Sequence, residues 1–175
     1  MSLQTHINRY FPMGIEGDFA STNPFFTEGS PLDGGLVAAS PAGVVAGRFA
    51  WIDEEKGTVS TSLVPSSSGQ VASPAGFVGR QGHFSALIGG GEGSLQLAPG
   101  SGVTVYTAGD FWLRLAASSI AAVRGGRVYA LLATGEAVAG SADSTPEGSV
   151  GTEFRFVSSA QPGTLVRVRS FGGSV

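Results

Sequence analysis

Thr152-Glu153-Phe154-Arg155-Phe156-Val157 and Thr164-Leu165-Val166-Arg167-Val168-Arg169 are the two stretches whose reading decides the fold. In each, apolar and polar residues alternate, the period of an extended chain with one covered face and one wet face. Phe154 and Phe156 share a side of the first, opposite Glu153 and Arg155. Val166 and Val168 share a side of the second, opposite Arg167 and Arg169. Between the two lies Ser159-Ala160-Gln161-Pro162-Gly163, whose Pro-Gly pair suits the central positions of a type II turn. The spacing predicts an antiparallel hairpin with its apolar face on a core.

Working outward, the pattern recurs in shorter pieces. Apolar runs at 44–51, 58–64, 83–88, 103–106, 111–115 and 127–132 each adjoin a turn signal. These signals include Pro41-Ala42-Gly43, Asp53-Glu54-Glu55-Lys56-Gly57, Gly89-Gly90-Gly91-Glu92-Gly93, Pro99-Gly100-Ser101-Gly102, Gly109-Asp110 and Gly125-Gly126. Short strands punctuated this often predict an all-β sandwich or barrel. The alanine-rich stretch 115–123 is the one candidate helix, about two turns long and ended by Gly125-Gly126. Ser40-Pro41-Ala42-Gly43-Val44-Val45-Ala46-Gly47-Arg48 is echoed by Ser73-Pro74-Ala75-Gly76-Phe77-Val78-Gly79-Arg80. Shared turn chemistry and duplication explain that echo equally well.

The first thirty residues are different. No alternation is sustained before Leu36, and Tyr10, Phe11, Phe19, Phe25 and Phe26 fall irregularly. Pro12, Pro24 and Pro31 forbid a long helix. An irregular segment so rich in aromatics must lie on something, either its own domain or a neighbouring subunit. The expected organisation is therefore an extended arm over 1–30 and a β-domain over 31–175.

Composition narrows the function classes. The chain has 175 residues, enough for one domain to bury about 70% of its unfolded surface without staples. It has no cysteine, which removes disulfides, thiolate chemistry and cysteine-ligated zinc. The start of the chain lacks an apolar run resembling a secretory signal, and no stretch approaches the roughly 18 apolar residues of a membrane helix. The 28 glycines are about twice the usual ~7%, which disfavours helices and suits many tight turns. Only 13% of residues are charged and the net charge is −3, so no basic stripe for nucleic acid is expected. Nine arginines stand against the single Lys56. That bias fits a GC-rich genome, and it also fits a surface meant for burial against partners, since interfaces deplete lysine and enrich arginine.

Catalytic patterns are missing from the residues. His6 and His83 are far apart in sequence, one in the arm and one beginning a strand. Gly148-Ser149-Val150-Gly151 is too short for a nucleophile elbow and opens a strand. Asp53-Glu54-Glu55 with Lys56 and Gly57 reads as a solvated hairpin tip. The 89–93 glycine loop lacks the Gly-Lys-Ser/Thr ending that grips phosphate. No metal-ligand spacing occurs. Trp51, Phe111 and Trp112 are the residues available for a sugar-binding shelf, the alternative function, in a carbohydrate-binding β-sandwich. Phe111 and Trp112 must point to opposite faces of a strand, so one of them suits an interface anchor. The expectation is a protein without enzymatic activity, cofactor or metal, and contacting neither nucleic acid nor membrane.

Glu16-Gly17-Asp18-Phe19-Ala20-Ser21-Thr22-Asn23-Pro24 resembles the amino-terminal signature of the structural cement, or capsid decoration, proteins of tailed bacteriophages. The resemblance continues through 36–44, Gly47-Arg48-Phe49-Ala50-Trp51, Ala75-Gly76-Phe77-Val78, Ala108-Gly109-Asp110-Phe111-Trp112 and Arg127-Val128-Tyr129-Ala130. It covers the chain from about Gly14 onward and departs at Phe25-Phe26 and at 171–175. It implies a β-sandwich, jelly-roll-like domain on the outside of an icosahedral head, made in the bacterial cytoplasm. Such a domain would bridge neighbouring copies of the major capsid protein and stabilise the virion. A clamp on a local symmetry axis implies self-association, with a homodimer favoured over a homotrimer. The residues expected to touch partners are Phe11, Phe19, Asn23, Phe25, Phe26 and Trp112.

Overall fold

The computed structural model describes residues 14–29, 35–63, 73–80, 95–141 and 144–171. Among them there is no helix; the described chain is all-β. The strands are β1 (Phe26–Thr27), β2 (Val37–Ala38), β3 (Val44–Val45), β4 (Phe49–Asp53), β5 (Thr58–Ser60) and β6 (Gly76–Val78). They continue as β7 (Gln96–Leu97), β8 (Val105–Arg114), β9 (Arg127–Leu131), β10 (Ala137–Ala139), β11 (Ser149–Phe156) and β12 (Leu165–Ser170). The hydrogen-bonded path is β10-β9-β11-β12-β8-β6-β4-β5-β2, with β1 also pairing β8, while β3 and β7 form a separate pair. Among these strand pairings, only β2 with β5 is parallel.

The predicted hairpin is present. β11 and β12 run antiparallel with Arg155 opposite Arg169 and Phe156 opposite Val168. At the turn, Gly163 has φ 76° and the Thr164 amide donates to the Gln161 carbonyl at 3.2 Å, as a type II turn with Pro-Gly at its centre requires. Phe154, Phe156, Val166 and Val168 are all buried.

Three expectations need correction. The run 44–51 is not one strand: Gly47, with φ 85°, breaks it, so Val44 pairs with Leu97 in the small sheet while Phe49 pairs with Phe77 in the large one. Conversely, Gly109-Asp110 is not a turn. The chain passes straight through it, and the separate strands expected at 103–106 and 111–115 are the single strand β8. Gly109 has φ 141°, and a Cβ there would stand 2.9 Å from the Phe111 ring and 3.2 Å from the Phe25 Cβ. The glycine marks a close approach inside a strand. Finally, 115–123 is not helical. Leu115 bridges Ala137 and Ala122 bridges Ala160, and both are buried. An isolated two-turn helix is marginal whatever its alanine content, so these tertiary pairings win. The strand expected at 83–88 lies outside the described residues.

The apolar residues form two clusters. One gathers Phe49, Trp51, Phe77, Tyr106, Phe111, Leu113, Phe154, Phe156, Val166 and Val168 between the carboxyl-terminal strands and β4-β6-β8. The other gathers Leu36, Val44, Ala50, Val59, Val78, Leu97 and Val105. Adjacent residues of one strand divide between them: Phe49 and Ala50, Phe77 and Val78, Tyr106 and Val105. Because neighbours along a strand point to opposite faces, β4, β6 and the first half of β8 are covered on both sides. The result is a sandwich with an extra small sheet behind it.

Candidate interaction surface

Residues 14–29 run alongside β8. The Gly17 amide donates to the Trp112 carbonyl at 2.8 Å, the Trp112 amide to Asp18 at 2.9 Å and the Ala20 amide to Asp110 at 2.8 Å. Phe26 then pairs with Ala108, and the Glu28 amide donates to the Val105 carbonyl at 2.8 Å. Gly17 has φ 89°, and a Cβ there would stand 3.0 Å from the Arg80 amide nitrogen, so a side chain would be both strained and crowded. Two ion pairs flank this path, Glu16 with Arg114 at 3.1 Å and Asp18 with Arg80 at 3.8 Å.

The centre of the attachment is Asp110, only 2% exposed. Its carboxylate accepts from Arg169 Nε at 2.6 Å and Nη2 at 2.8 Å, from Ser21 Oγ at 2.7 Å and from Asn23 Nδ2 at 2.9 Å. Burial alone would raise the Asp110 carboxyl. The hydrogen bonds from Arg169, Ser21 and Asn23 outweigh it and hold the group below its ordinary value. The same contact raises Arg169 further. A two-pronged arginine-carboxylate pair with two more donors is a charge-assisted network, stronger per bond than neutral pairs. It ties the segment to β8 and β8 to β12 through a single side chain.

Beside this latch a row of rings leads from surface to core. Phe19 lies 4.9 Å from Phe25, 5.2 Å from Tyr106 and 5.1 Å from Phe111, centre to centre. Phe111 in turn lies 4.8 Å from Phe77 and 6.2 Å from Phe154. These are favourable ring separations. The outer members stay wet: Phe19 is 41% exposed, Phe25 52% and Phe26 64%. Phe171, 44% exposed, follows Ser170, which pairs with Gly109, and its ring carries the Arg169 guanidinium at 5.2 Å.

The structure thus brings Phe19, Asn23 and Phe25 together over β8, puts Phe26 on the edge of β8 that β12 also uses, and sets Trp112 two residues from Asp110. Phe11 lies outside the described residues. Asn23 is exposed as a residue but its amide is committed to Asp110. Trp112 is half-covered, with Gly14 packed against its indole and the Arg167 guanidinium 5.9 Å from its centre. Sequence reasoning missed Ser21, Asp110, Arg169 and Phe171. The signal was present: the two runs Glu16-Gly17-Asp18-Phe19-Ala20-Ser21 and Gly109-Asp110-Phe111-Trp112 are the two halves of this contact.

The sugar shelf is not formed. Trp51 and Phe111 are core residues and Trp112 is covered as above, so the three present no common platform. The 53–57 turn is the hairpin tip expected: Asp53 Oδ1 accepts from the Glu55 and Lys56 amides, and Lys56 Nζ sits 2.9 Å from Asp53 Oδ2. The Lys56 hydrogen bond holds the exposed Asp53 carboxyl below its usual value. Ser149 opens β11 with its hydroxyl donating to the Pro146 carbonyl at 2.6 Å. His6 and His83 lie outside the described residues. Among the described residues no group of three or more His, Asp or Glu is placed to hold a metal ion.

The sequence matches the family model described as XM1 gp53 minor capsid protein over residues 3–170. No curated protein matches it. Among solved structures, a chain of the capsid of Myoviridae phage XM1 is 17% identical with a TM-score of 0.61, and the match covers 98% of this chain and 99% of that one. At that identity the likeness speaks for the fold.

Proposed function

The chain belongs to the XM1 gp53 minor capsid protein family, and on that premise we propose that it decorates the exterior of an icosahedral phage head and bridges neighbouring major capsid proteins. In this reading it is a structural component of the virion without enzymatic activity, made in the host cytoplasm. Residues 1–30 serve as an arm and 31–175 as the body, and the protein acts as a homo-oligomer, a dimer in preference to a trimer.

The observation that carries the proposal is the state of the segment 14–29. Its polar side chains Ser21 and Asn23 are spent on Asp110, while Phe25 and Phe26 are turned to water at 52% and 64% exposure. A domain gains nothing for its own stability by showing those rings. A protein partner that covers them gains about 25 cal/mol for each Å² of apolar surface removed from water. Contacts from the segment and from the body to different shell subunits reinforce one another, because linkage raises the effective concentration of the second contact.

The test is to mix purified protein with heads that lack it and to measure occupancy by co-sedimentation and electron microscopy. The expected result is added density on the outer surface and heads that withstand more heat. Phe25→Ser with Phe26→Ser should cut binding at least about tenfold, since burying one such ring contributes roughly 1.5–3 kcal/mol and 1.4 kcal/mol is tenfold. Density inside the shell, or full occupancy by the double variant, would overturn the proposal.

A further inference from the structure

The outward face of β9, β11, β12 and β8 carries a concentration of arginine of which the fold itself uses only part. The cross-strand register places Arg127 opposite Arg155, Arg155 opposite Arg169, and Arg169 opposite Asp110. The neighbouring rungs of β12 and β8 pair Arg167 with Trp112 and Leu165 with Arg114. The alternate residues Phe154, Phe156, Val166, Val168, Phe111 and Leu113 point into the core, so these arginines share the opposite face. Like charges directly opposite each other across strands are destabilising. Here two such pairs stand in a row.

Carboxylates relieve only part of this. Asp110 takes Arg169, Glu16 takes Arg114 at 3.1 Å, and Glu153 lies 3.8 Å from Arg127. Among the described residues Arg155 has only a backbone partner, the Gly125 carbonyl at 3.2 Å. Arg167 stands by the Trp112 ring with its Nε buried and without a hydrogen-bond partner. Among the described residues neither Arg155 nor Arg167 meets a carboxylate. Five arginines against three carboxylates leave this face positive in a chain whose net charge is −3.

We propose that this face docks on an acidic protein surface of the shell, with Arg155 and Arg167 each receiving a carboxylate from the partner; the inference rests on the reading that the chain binds the head. Arginine's planar fork suits carboxylates, and an arginine-tryptophan pair suits the centre of an interface. A second copy of the chain is the wrong occupant for a two-fold contact, which would set the same arginines against each other. Duplex DNA is also disfavoured, because Glu153 and Glu16 stand among the arginines and the chain's net charge opposes approach to polyphosphate.

The experiment compares full-length wild type with Arg155→Gln/Arg167→Gln and Arg155→Glu/Arg167→Glu in binding to heads across a salt series. Wild type should bind more weakly as salt rises. The glutamine variant should lose about tenfold in affinity, the glutamate variant more, and both should show a shallower salt dependence. Neither should melt below wild type, since each removes like-charge pairing. Wild type that binds heads while both variants bind equally well overturns this inference and leaves the head-binding reading intact. Wild type that fails to bind heads at any salt overturns both. The inference also falls if wild type binds duplex DNA and the variants lose that binding. Low-salt self-association abolished by the variants would overturn it as well, by assigning the face to a second copy.

Discussion

Two attachments to β8 are held by different physics. In one, β12 pairs residue for residue from Leu165 opposite Arg114 to Ser170 opposite Gly109, and the alternate side chains Val166, Val168, Phe111 and Leu113 vanish into the core. In the other, residues 17–20 bond to the edge of β8 opposite β12, and the chain then crosses over Asp110. Residues 26–28 bond to the edge that β12 also uses, so the contacts are scattered and depend on one carboxylate. The first attachment is a regular ladder stabilised by area. The second is an irregular strap stabilised by a few strong polar contacts, and its apolar residues face outward. Regular pairing with inward rings builds a domain; irregular attachment with outward rings leaves apolar surface in water.

Substitutions can separate the two. The largest effect should come from the ladder: Phe154→Ala removes a buried ring and should cost about 3–5 kcal/mol, read by chemical denaturation. Asp110→Ala should cost less, about 1–3 kcal/mol, because Arg169 keeps access to water once its partner is gone. It should speed hydrogen exchange at the Ala20 and Trp112 amides while leaving those of β9 to β11 protected. Uniform loss of protection would show that strap and ladder are one unit, and the comparison would fail.

Acid offers a third cut. The folded Asp110 carboxyl lies below its ordinary value, so its contribution is complete above the unfolded-state pKa of about 3.9 and is lost as pH falls through the lower folded value. The strap should therefore stay docked at neutral pH and loosen only below about pH 4. Asp110→Asn should remove that step from the exchange of residues 17–28. The smallest effect on stability belongs to Phe26→Ser, within about 0.5 kcal/mol, because that ring is mostly in water. A drop of several kcal/mol would mean that Phe26 belongs to the core after all.

What could be read in the sequence follows the same division. The β11–β12 hairpin was legible because alternation and a Pro-Gly turn are local signals. Continuity of β8 through Gly109-Asp110 was not, since that dipeptide has the chemistry of a turn and only the approach of Phe25 explains the glycine. The helix expected at 115–123 rested on alanine propensity, a weak term that Ala137 and Ala160 overrode by backbone pairing. The latch joins Ser21 and Asn23 to a carboxylate 89 and 87 residues away, a separation over which periodicity carries nothing. The exposed phenylalanines were visible as an irregular aromatic run, but which of them would remain wet depended on where Tyr106 and Phe111 stood.

One wall serves two chambers in this molecule: β4, β6 and the start of β8 give alternate side chains to each apolar cluster. Neither chamber can be emptied without stripping the other of its lining. Calorimetry should accordingly record a single heat-absorption peak in place of two, and local damage on either side should be felt throughout. For a phage capsid protein, that is a mode of failure with a sharp threshold: the domain holds its shape until it gives way whole.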